Sequence, residues 1–594
     1  MVGIYAPNIR YWEPTTVKLS TLLNSVEQQK LALPQFQRDF KWGPKDFTPF
    51  LYSVLQNRIT GSLLLLSVDR DSKQFAPKEL DRGPSIDQSK LEELLLDGQQ
   101  RTTTLYQAFV AGFRRYNKHY LPYIDVKQLL QSDFLLEEHI RFDEVMGRTP
   151  TEQAKHGHLE LKVLLESSTR ATWLQEFAQT DEIIQKGWSV AELISEMNER
   201  IVLFETLATY EFPATRLGKE SPPSLIVDIF QDINRRGRRL DEFELMVAKC
   251  FNESEPNSSE PYNLKAHWDA AFSTTQFLEK IGISSDSGLL PLYLIAAALK
   301  RETTVLGAKP LGADAILSMD PKYVTGTKIS GVDCSIERAV EALDKAAQLL
   351  YQACGVIHKT LLPQAMMLIP IADQFFLAHK NRPPLSDVLL RKWFWISGLR
   401  GDFYGSTTSY VTPACQQLEN WSKDPNANIP ASISSFDISS VNALNLRAAK
   451  VRADDIMGKT VLAMIAQSGS LDWKAGHGPL TAVVNAQGQD VEAHHIVPRK
   501  VLTQKSYYNC NVDDERLFPI ANFAPASQTA NGSLSVLTPS GVKSELAGDY
   551  PQILDRSFVP RGHFEKVKNK TSFEAFLAAR EKALKVQIAL LLDV

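Results

Sequence analysis

Two adjacent histidines, His494 and His495, stand in the stretch Glu492-Ala493-His494-His495-Ile496-Val497-Pro498, and Asn522 and Asn531 follow, nine residues apart. An imidazole titrates near neutrality and can take a proton from water at working pH. A neighbouring side chain and a distal asparagine can hold a divalent metal that stabilises charge on a leaving oxygen. Read this way, His495 is the general base, His494 and Asn531 are metal ligands, and Asn522 orients His495 through a hydrogen bond that fixes its tautomer. The bond such a set attacks is a phosphodiester. The competing reading is an ordinary strand pair of histidines with two turn asparagines; Ile496-x-Pro498 and the asparagine pair together favour the chemical one. His477, eighteen residues before His495 in Gly476-His477-Gly478, reads as a loop histidine that could approach the metal.

Presenting these groups together requires a ββα unit: a first strand over 491–496, then a loop at Phe523–Ser527, then a helix that brings Asn531 in. The expected cation is Mg²⁺ or Mn²⁺, because Cys250, Cys334, Cys354, Cys415 and Cys510 lie far apart and form no C-x-x-C pair of the zinc type. The same spacing argues against a disulfide scaffold and fits a reducing cytoplasm. The formal charge is only −4 and the pI near 6.3, so a bulk positive field cannot hold nucleic acid and local cations must. Arg499 and Lys500 directly after the histidines, and the later cluster Lys566, Lys568 and Lys570, are the candidates for DNA-backbone contacts; plain surface solvation is their alternative.

A second constellation lies near the N-terminus. Asp97-Gly98-Gln99-Gln100-Arg101-Thr102-Thr103-Thr104-Leu105 falls between a leucine-rich strand signal and an apolar-periodic stretch with Leu105, Phe109 and Phe113 at i, i+4, i+8. A strand–turn–helix junction turns free N–H groups toward a phosphate, and Arg101 adds a forked donor. No G-x-x-x-x-G-K is present, and Asp97 could equally cap the helix. Two further polar stretches accompany it: Leu33-Pro34-Gln35-Phe36-Gln37-Arg38-Asp39-Phe40-Lys41-Trp42, and the run from Ile229 through Asn234 and Gly237 to Leu240 with arginines at 235, 236, 238 and 239. Those arginines read either as a solvated loop or as DNA-phosphate contacts.

With 594 residues, 44% of them apolar and 23% charged, the chain suits about three globular domains of roughly 100–200 residues each. Strand and helix signals mix up to about residue 250, long helical runs follow at 339–351, 361–379 and 386–396, and a polar loop lies at 422–430. A last helix is expected from Thr571, boxed by Glu574, with its charges forming a solvated face. The apolar run 289–299 is too short to span a bilayer and reads as a buried helix. Met1 to Pro7 lacks the charged and apolar regions of a secretory signal. The expected architecture is α+β and multidomain, with boundaries at 1–255, 256–450 and 451–594.

The D-G-Q-Q-R-x-x-T-L and P-x-F-Q-R-x-F-x-W motifs, with the Asn234 run, resemble the N-terminal domain of GmrSD-type type IV restriction enzymes, over roughly residues 15–250. The histidine–asparagine set similarly resembles the C-terminal HNH nuclease domain of that family, over 451–594. Here His494 replaces a frequent Asp, and Ala521-Asn522-Phe523 replaces Gly-Asn-Leu. The resemblance implies a ParB/sulfiredoxin-like domain that binds and hydrolyses a nucleoside triphosphate, a helical middle domain and a ββα-metal HNH domain. It further implies that Gln37 and Arg38 face the nucleotide, that Asp97 partners a metal or water, and that Gln100 and Arg101 hold phosphates. Trp42 and Phe36 are core anchors in this reading. The implied activity is nucleotide-regulated, metal-dependent cleavage of modified foreign double-stranded DNA, such as phage DNA, in the cytoplasm. A phosphorothioate-sensing nicking enzyme shares this domain order, and a nucleotide-gated DNA-binding regulator with an unused nuclease site is the reading from another class. A single HNH site cuts one strand, so double-strand cleavage would call for a homodimer or repeated nicking.

Overall fold

Continuous apolar runs become the central strands of the first sheet because both faces of those strands are covered. Leu63–Ser67 (β3) and Glu93–Asp97 (β5) bury Leu63 to Leu66 and Leu94 to Leu96 respectively. The computed structural model describes residues 11–594 apart from 35–36, 38–39, 69–76, 116–117, 145–148, 222–225, 227–228, 230–241, 251–252, 254, 256–261, 286–288, 303–305, 307–310, 327, 330, 377–382, 405–406 and 451–454. Arg38, Phe36, Asn234, Gly237 and the arginines at 235, 236, 238 and 239 therefore lie outside the described residues.

The chain forms two compact units, Met1–Tyr262 and Asn263–Val594. In the first, a six-stranded mixed sheet has the order β1-β10-β3-β5-β2-β4, with β1 Trp12–Lys18, β2 Leu31–Pro34, β4 Pro77–Lys78 and β10 Glu211–Leu217. β10 runs parallel to β3 and β2 parallel to β5, while β3 and β5 are antiparallel. A register shift between Leu64 and Leu65 falls where Asp97 pairs, at the end of β5. Helix α1, Leu19–Glu27, and helix α2, Pro44–Leu55, lay their apolar faces into this unit's core. A second, small antiparallel sheet joins β6 Phe113–Arg115, β7 Lys118–Asp125 and β8 Ile140–Glu144, with β9 His158–Glu160 also on β7. Helix α3 is shorter than its periodicity suggests: it spans Gln99–Tyr106 and passes into a π-helical turn, Gln107–Ala111. Gly112 then takes φ 73°, a left-handed setting that ends the helix and starts β6 at Phe113.

The second unit is mostly helical. Buried helices run at Leu289–Glu302, Ile336–Ala353, Leu368–Phe376, Asp387–Arg400, Thr407–Lys423 and Ile456–Gln467. The run expected at 361–379 is broken into 3₁₀ turns at Lys359–Leu361 and Ala365–Met367 before the helix Leu368–Phe376, since Pro363 supplies no amide hydrogen and bars the preceding residue from helical geometry. The final helix is Lys570–Leu592, capped by Asn569, whose side chain accepts from the Ser572 amide at 3.0 Å, so the expected Thr571 start with Glu574 is displaced by one residue. Its charges are not all solvated: Arg580 is fully buried and Glu581 nearly so. A two-residue pair, β11 Lys328–Ile329 with β12 Val332–Asp333, precedes the strands of the candidate site. The whole is a mixed α+β molecule with several small sheets. Among the described residues no helix is long and apolar enough to cross a membrane.

Candidate functional site

The histidines end a strand. Val491–His495 (β13) pairs antiparallel with Phe523–Ser527 (β14), placing His494 opposite Ala524 and His495 opposite Phe523. The segment 523–527, expected as a loop, is this second strand; its five residues are all buried, and the pairing satisfies their backbone groups. Ser527 then caps the helix Gln528–Leu534 through a bond from the Ala530 amide at 3.2 Å, and Asn531 lies one turn beyond that cap. The local arrangement is two antiparallel strands followed by a helix.

Side chains alternate along a strand, so Glu492 and His494 share one face of β13 and His495 takes the other. On the first face, Asn531 Nδ2 donates to the Glu492 carboxylate. Its Oδ1 therefore faces His494, whose Nδ1 lies 2.9 Å away and must donate. His494 is 1% exposed, packs against Trp473 with ring centroids 5.0 Å apart, and leaves Nε2 without a hydrogen-bond partner. Burial pushes its pKa down to about 4. On the second face, His495 sits 4.1 Å from the Phe523 ring and 5.6 Å from that of Phe518. The Leu517 carbonyl lies toward the His495 ring and favours its protonated form, and the buried Nε2 has no hydrogen-bond partner. Burial, then the neighbouring His494 and the charge of Arg499, lower the His495 pKa to about 3.

Asn522 is fully buried, but not against the imidazole it was expected to orient. Its Oδ1 accepts from the Val497 amide and its Nδ2 donates to the Val497 carbonyl, each at 3.0 Å. With both amide ends spent on one peptide segment, Asn522 fixes the backbone that leaves His495 and does not orient the ring. Arg580 supports the same turn from beneath, donating to the Ala521 carbonyl at 2.8 Å and the Ser557 carbonyl at 3.1 Å. Full burial lowers its pKa to about 9. Asp472, also fully buried, accepts from the Trp473 amide, the Ser527 amide, the Ser527 hydroxyl and His477 Nδ1, at 2.9, 2.8, 2.7 and 2.7 Å. His477 is thus a partner of this buried carboxylate at the helix cap. Glu492, Asp472, Arg580 and the Leu517 carbonyl were not singled out from sequence; only Glu492, two positions from His494, carried a local signal.

The donor set fits a divalent cation. His494 and Glu492 each hydrogen-bond to Asn531, at opposite ends of its amide, and one imidazole with two oxygens is a donor set that suits Mn²⁺ and, less well, Mg²⁺. Among the described residues no three His, Cys, Asp or Glu side chains form a metal cluster; here the third donor is an amide. Holding a cation at Nδ1 would move the His494 proton to Nε2, the atom without a partner. Arg499, Lys500, Lys566 and Lys568 are exposed, and none has an ion-pair partner among the described residues. Arg499 lies over the Phe518 ring at 5.7 Å.

The N-terminal constellation also comes together. Gly98, at φ 106°, is the N-cap of α3, so Asp97 does not cap the helix; its Oδ2 instead accepts from Arg101 Nη2 at 3.1 Å. Arg101 Nη1 also donates to the Thr60 carbonyl at 3.2 Å. Gln100 Oε1 accepts from the amides of Lys41 and Trp42 at 2.9 and 3.1 Å, and buried Gln37 donates to the Leu96 carbonyl at 2.6 Å. Trp42 packs on this core, edge-on to Phe50 at 5.4 Å, as an anchor would. The hydroxyls of Thr102, Thr103 and Thr104 are buried without hydrogen-bond partners. Gln37, Asp97, Gln100 and Arg101 are therefore neighbours of one strand–helix junction.

That junction lies inside a segment that matches a family model. Residues 19–251 match the model of the GmrSD restriction endonuclease N-terminal domain. The match relates the first unit to GmrSD-type restriction endonucleases and ends before the paired histidines. An uncharacterized protein of Methanocaldococcus jannaschii is 22% identical over 627 aligned residues, covering 96% of this chain and 97% of that protein. The similarity thus extends through the GmrSD-like segment and the second unit alike.

Proposed function

We propose that the chain is a metal-dependent DNA endonuclease of the GmrSD type, with an HNH site built from His495, His494, Asn531 and Glu492 on the strand–strand–helix arrangement. The observation that carries this reading is the His495 imidazole: its Nε2 is buried with no hydrogen-bond partner. Buried polar atoms are normally satisfied, so an orphan ring nitrogen at a site of this composition marks a place for a reactant. In the reading, His495 Nε2 takes the proton of a water that attacks phosphorus. His494, Asn531 and Glu492 would hold the cation, whose chemistry is to stabilise charge on phosphate oxygens. Asn522 keeps the Val497 peptide, and with it His495, in register. The negative charge of a bound phosphodiester opposes the causes that depress the His495 pKa and brings it toward the working range.

The first unit, in this proposal, binds and hydrolyses a nucleoside triphosphate at the junction of β5 and α3 and gates cleavage. The GmrSD match and the convergence of Gln37, Asp97, Gln100 and Arg101 support it. The substrate is modified foreign double-stranded DNA, met along Arg499, Lys500, Lys566 and Lys568. The domains are a ParB/sulfiredoxin-like first segment, helices in the middle and an HNH domain last. The test is cleavage of modified phage DNA and of unmodified plasmid, with Mg²⁺, Mn²⁺ or EDTA, and with each nucleoside triphosphate. Cation-dependent cleavage that a nucleotide stimulates is expected; cleavage of neither DNA under any of these conditions would overturn the proposal.

A further inference from the structure

Phe518 is shared between two functional groups. Its ring meets the His495 imidazole edge-on, with centroids 5.6 Å apart, and the Arg499 guanidinium lies over it at 5.7 Å. Base and cation are thus held by one aromatic side chain, which is itself anchored on the buried core of the second unit. Arg499 has no carboxylate partner among the described residues, and its charge acts directly on His495. This distinguishes it from Arg516, which is spent on Asp514 in a two-bond pair of 2.6 and 2.8 Å. A guanidinium stacked on an aromatic face loses little hydrogen-bonding capacity, since its N–H groups point out around the ring edge.

We infer that Arg499 is a catalytic residue that stabilises the negative charge developing on the non-bridging oxygens of the attacked phosphodiester, and that Phe518 is the positioning residue holding it in register with His495. The inference rests on the nuclease reading above and goes beyond a general DNA-backbone contact. In the step, the bond from water oxygen to phosphorus forms and the bond from phosphorus to the leaving oxygen breaks. The water proton passes to His495 Nε2, and the leaving oxygen takes its proton from solvent. Arg499 transfers nothing. Its fork of donors meets oxygens whose charge is greater in the transition state than in the substrate, so its effect falls on kcat rather than on binding.

The experiment uses the full chain with Mn²⁺ and bis(p-nitrophenyl) phosphate, a small phosphodiester that needs no extended DNA contact. Wild type, His495→Ala, Arg499→Ala, Arg499→Lys, Phe518→Ala, Phe518→Leu and Arg516→Ala are compared. Arg499→Ala should lower kcat about 10²-fold, the usual loss of one preorganised donor, with KM nearly unchanged. Guanidinium ion added to that variant should restore part of the rate, and Arg499→Lys should fall between. Phe518→Ala should reproduce the kcat loss and Phe518→Leu soften it, while Arg516→Ala, at the arginine spent on Asp514, leaves both constants alone. An Arg499→Ala variant with normal kcat and no guanidinium response overturns the inference, and because Arg499 is exposed, misfolding does not explain either result. Hydrolysis retained in His495→Ala, or absent from wild type, overturns the nuclease reading and this inference with it.

Discussion

The two polar junctions of this molecule differ in how their side chains are occupied. At the end of β5, Gln37, Gln100, Arg101 and Asp97 satisfy one another or the nearby backbone. At the end of β13, two imidazole nitrogens, on His494 and His495, are buried with no partner. The first junction has the character of a preorganised scaffold whose remaining polar capacity lies in three unpartnered threonine hydroxyls. The second leaves two ring nitrogens unsatisfied, which costs stability.

That contrast is broken most severely by removing the cation or its holders. His494→Ala and Asn531→Ala, like excess EDTA, should each abolish DNA cleavage, a fall of about 10³-fold or more for a reaction relying on metal charge stabilisation. Mn²⁺ binding, followed by electron paramagnetic resonance, should weaken in both variants and in Glu492→Gln. Undiminished Mn²⁺ binding in all three would remove this donor set.

A smaller effect separates orientation from chemistry. Asn522→Ala leaves the Val497 amide and carbonyl buried and unpaired, so urea unfolding of the second unit should show a loss of about 2–4 kcal/mol. Cleavage per folded molecule should also fall, because the backbone leaving His495 loosens. Full wild-type stability would mean the turn is held by other groups, Arg580 first among them.

At the N-terminal junction the expected changes are gentler and read by a different assay. Arg101→Ala and Asp97→Asn should weaken nucleotide binding and lower nucleotide-stimulated cleavage together, measured on the same preparations. Gly98→Ala should destabilise the first unit by about 1–2 kcal/mol, since a Cβ at φ 106° would also stand 2.5 Å from Leu63 Cδ2. Nucleotide binding and cleavage both unchanged in Arg101→Ala and Asp97→Asn would leave the junction a scaffold only.

A separate effect is an acid sensitivity. His494 and His495 hold folded pKa values near 4 and 3, below the unfolded value near 6.5. The unfolded chain therefore gains protons first as pH falls, and the stability these neutral rings permit is complete above about 6.5 and is lost toward 4 and below. The Tm of the metal-free protein should drop between pH 7 and 4.5, and less in the double variant His494→Gln/His495→Gln. Equal slopes would show that other groups dominate.

Much of this was legible from sequence, and the remainder was hidden for physical reasons. The leucine runs of β3 and β5 declare buried strands, and the histidine–asparagine spacing pairs two residues, His494 and Asn531, that the structure brings into hydrogen-bond contact. Glu492 was within reach of the period-two rule. The Leu517 carbonyl is a main-chain group with no side-chain signature. Arg580 looks from its charged neighbours like a surface residue, and only the tertiary burial of the last helix shows that it supports the Asn522 turn. Asn522 was placed at the site but given the wrong partner, because spacing does not reveal which of two adjacent groups a side-chain amide will face.

The most direct test of the central claim is His495→Ala in the full chain, with DNA cleavage and nucleotide hydrolysis measured on one folded preparation. Cleavage should fall by about 10²–10⁴-fold or more, the ordinary cost of losing a general base, while hydrolysis of the nucleotide continues. Normal cleavage by that variant would contradict the assignment of the nuclease centre to His495.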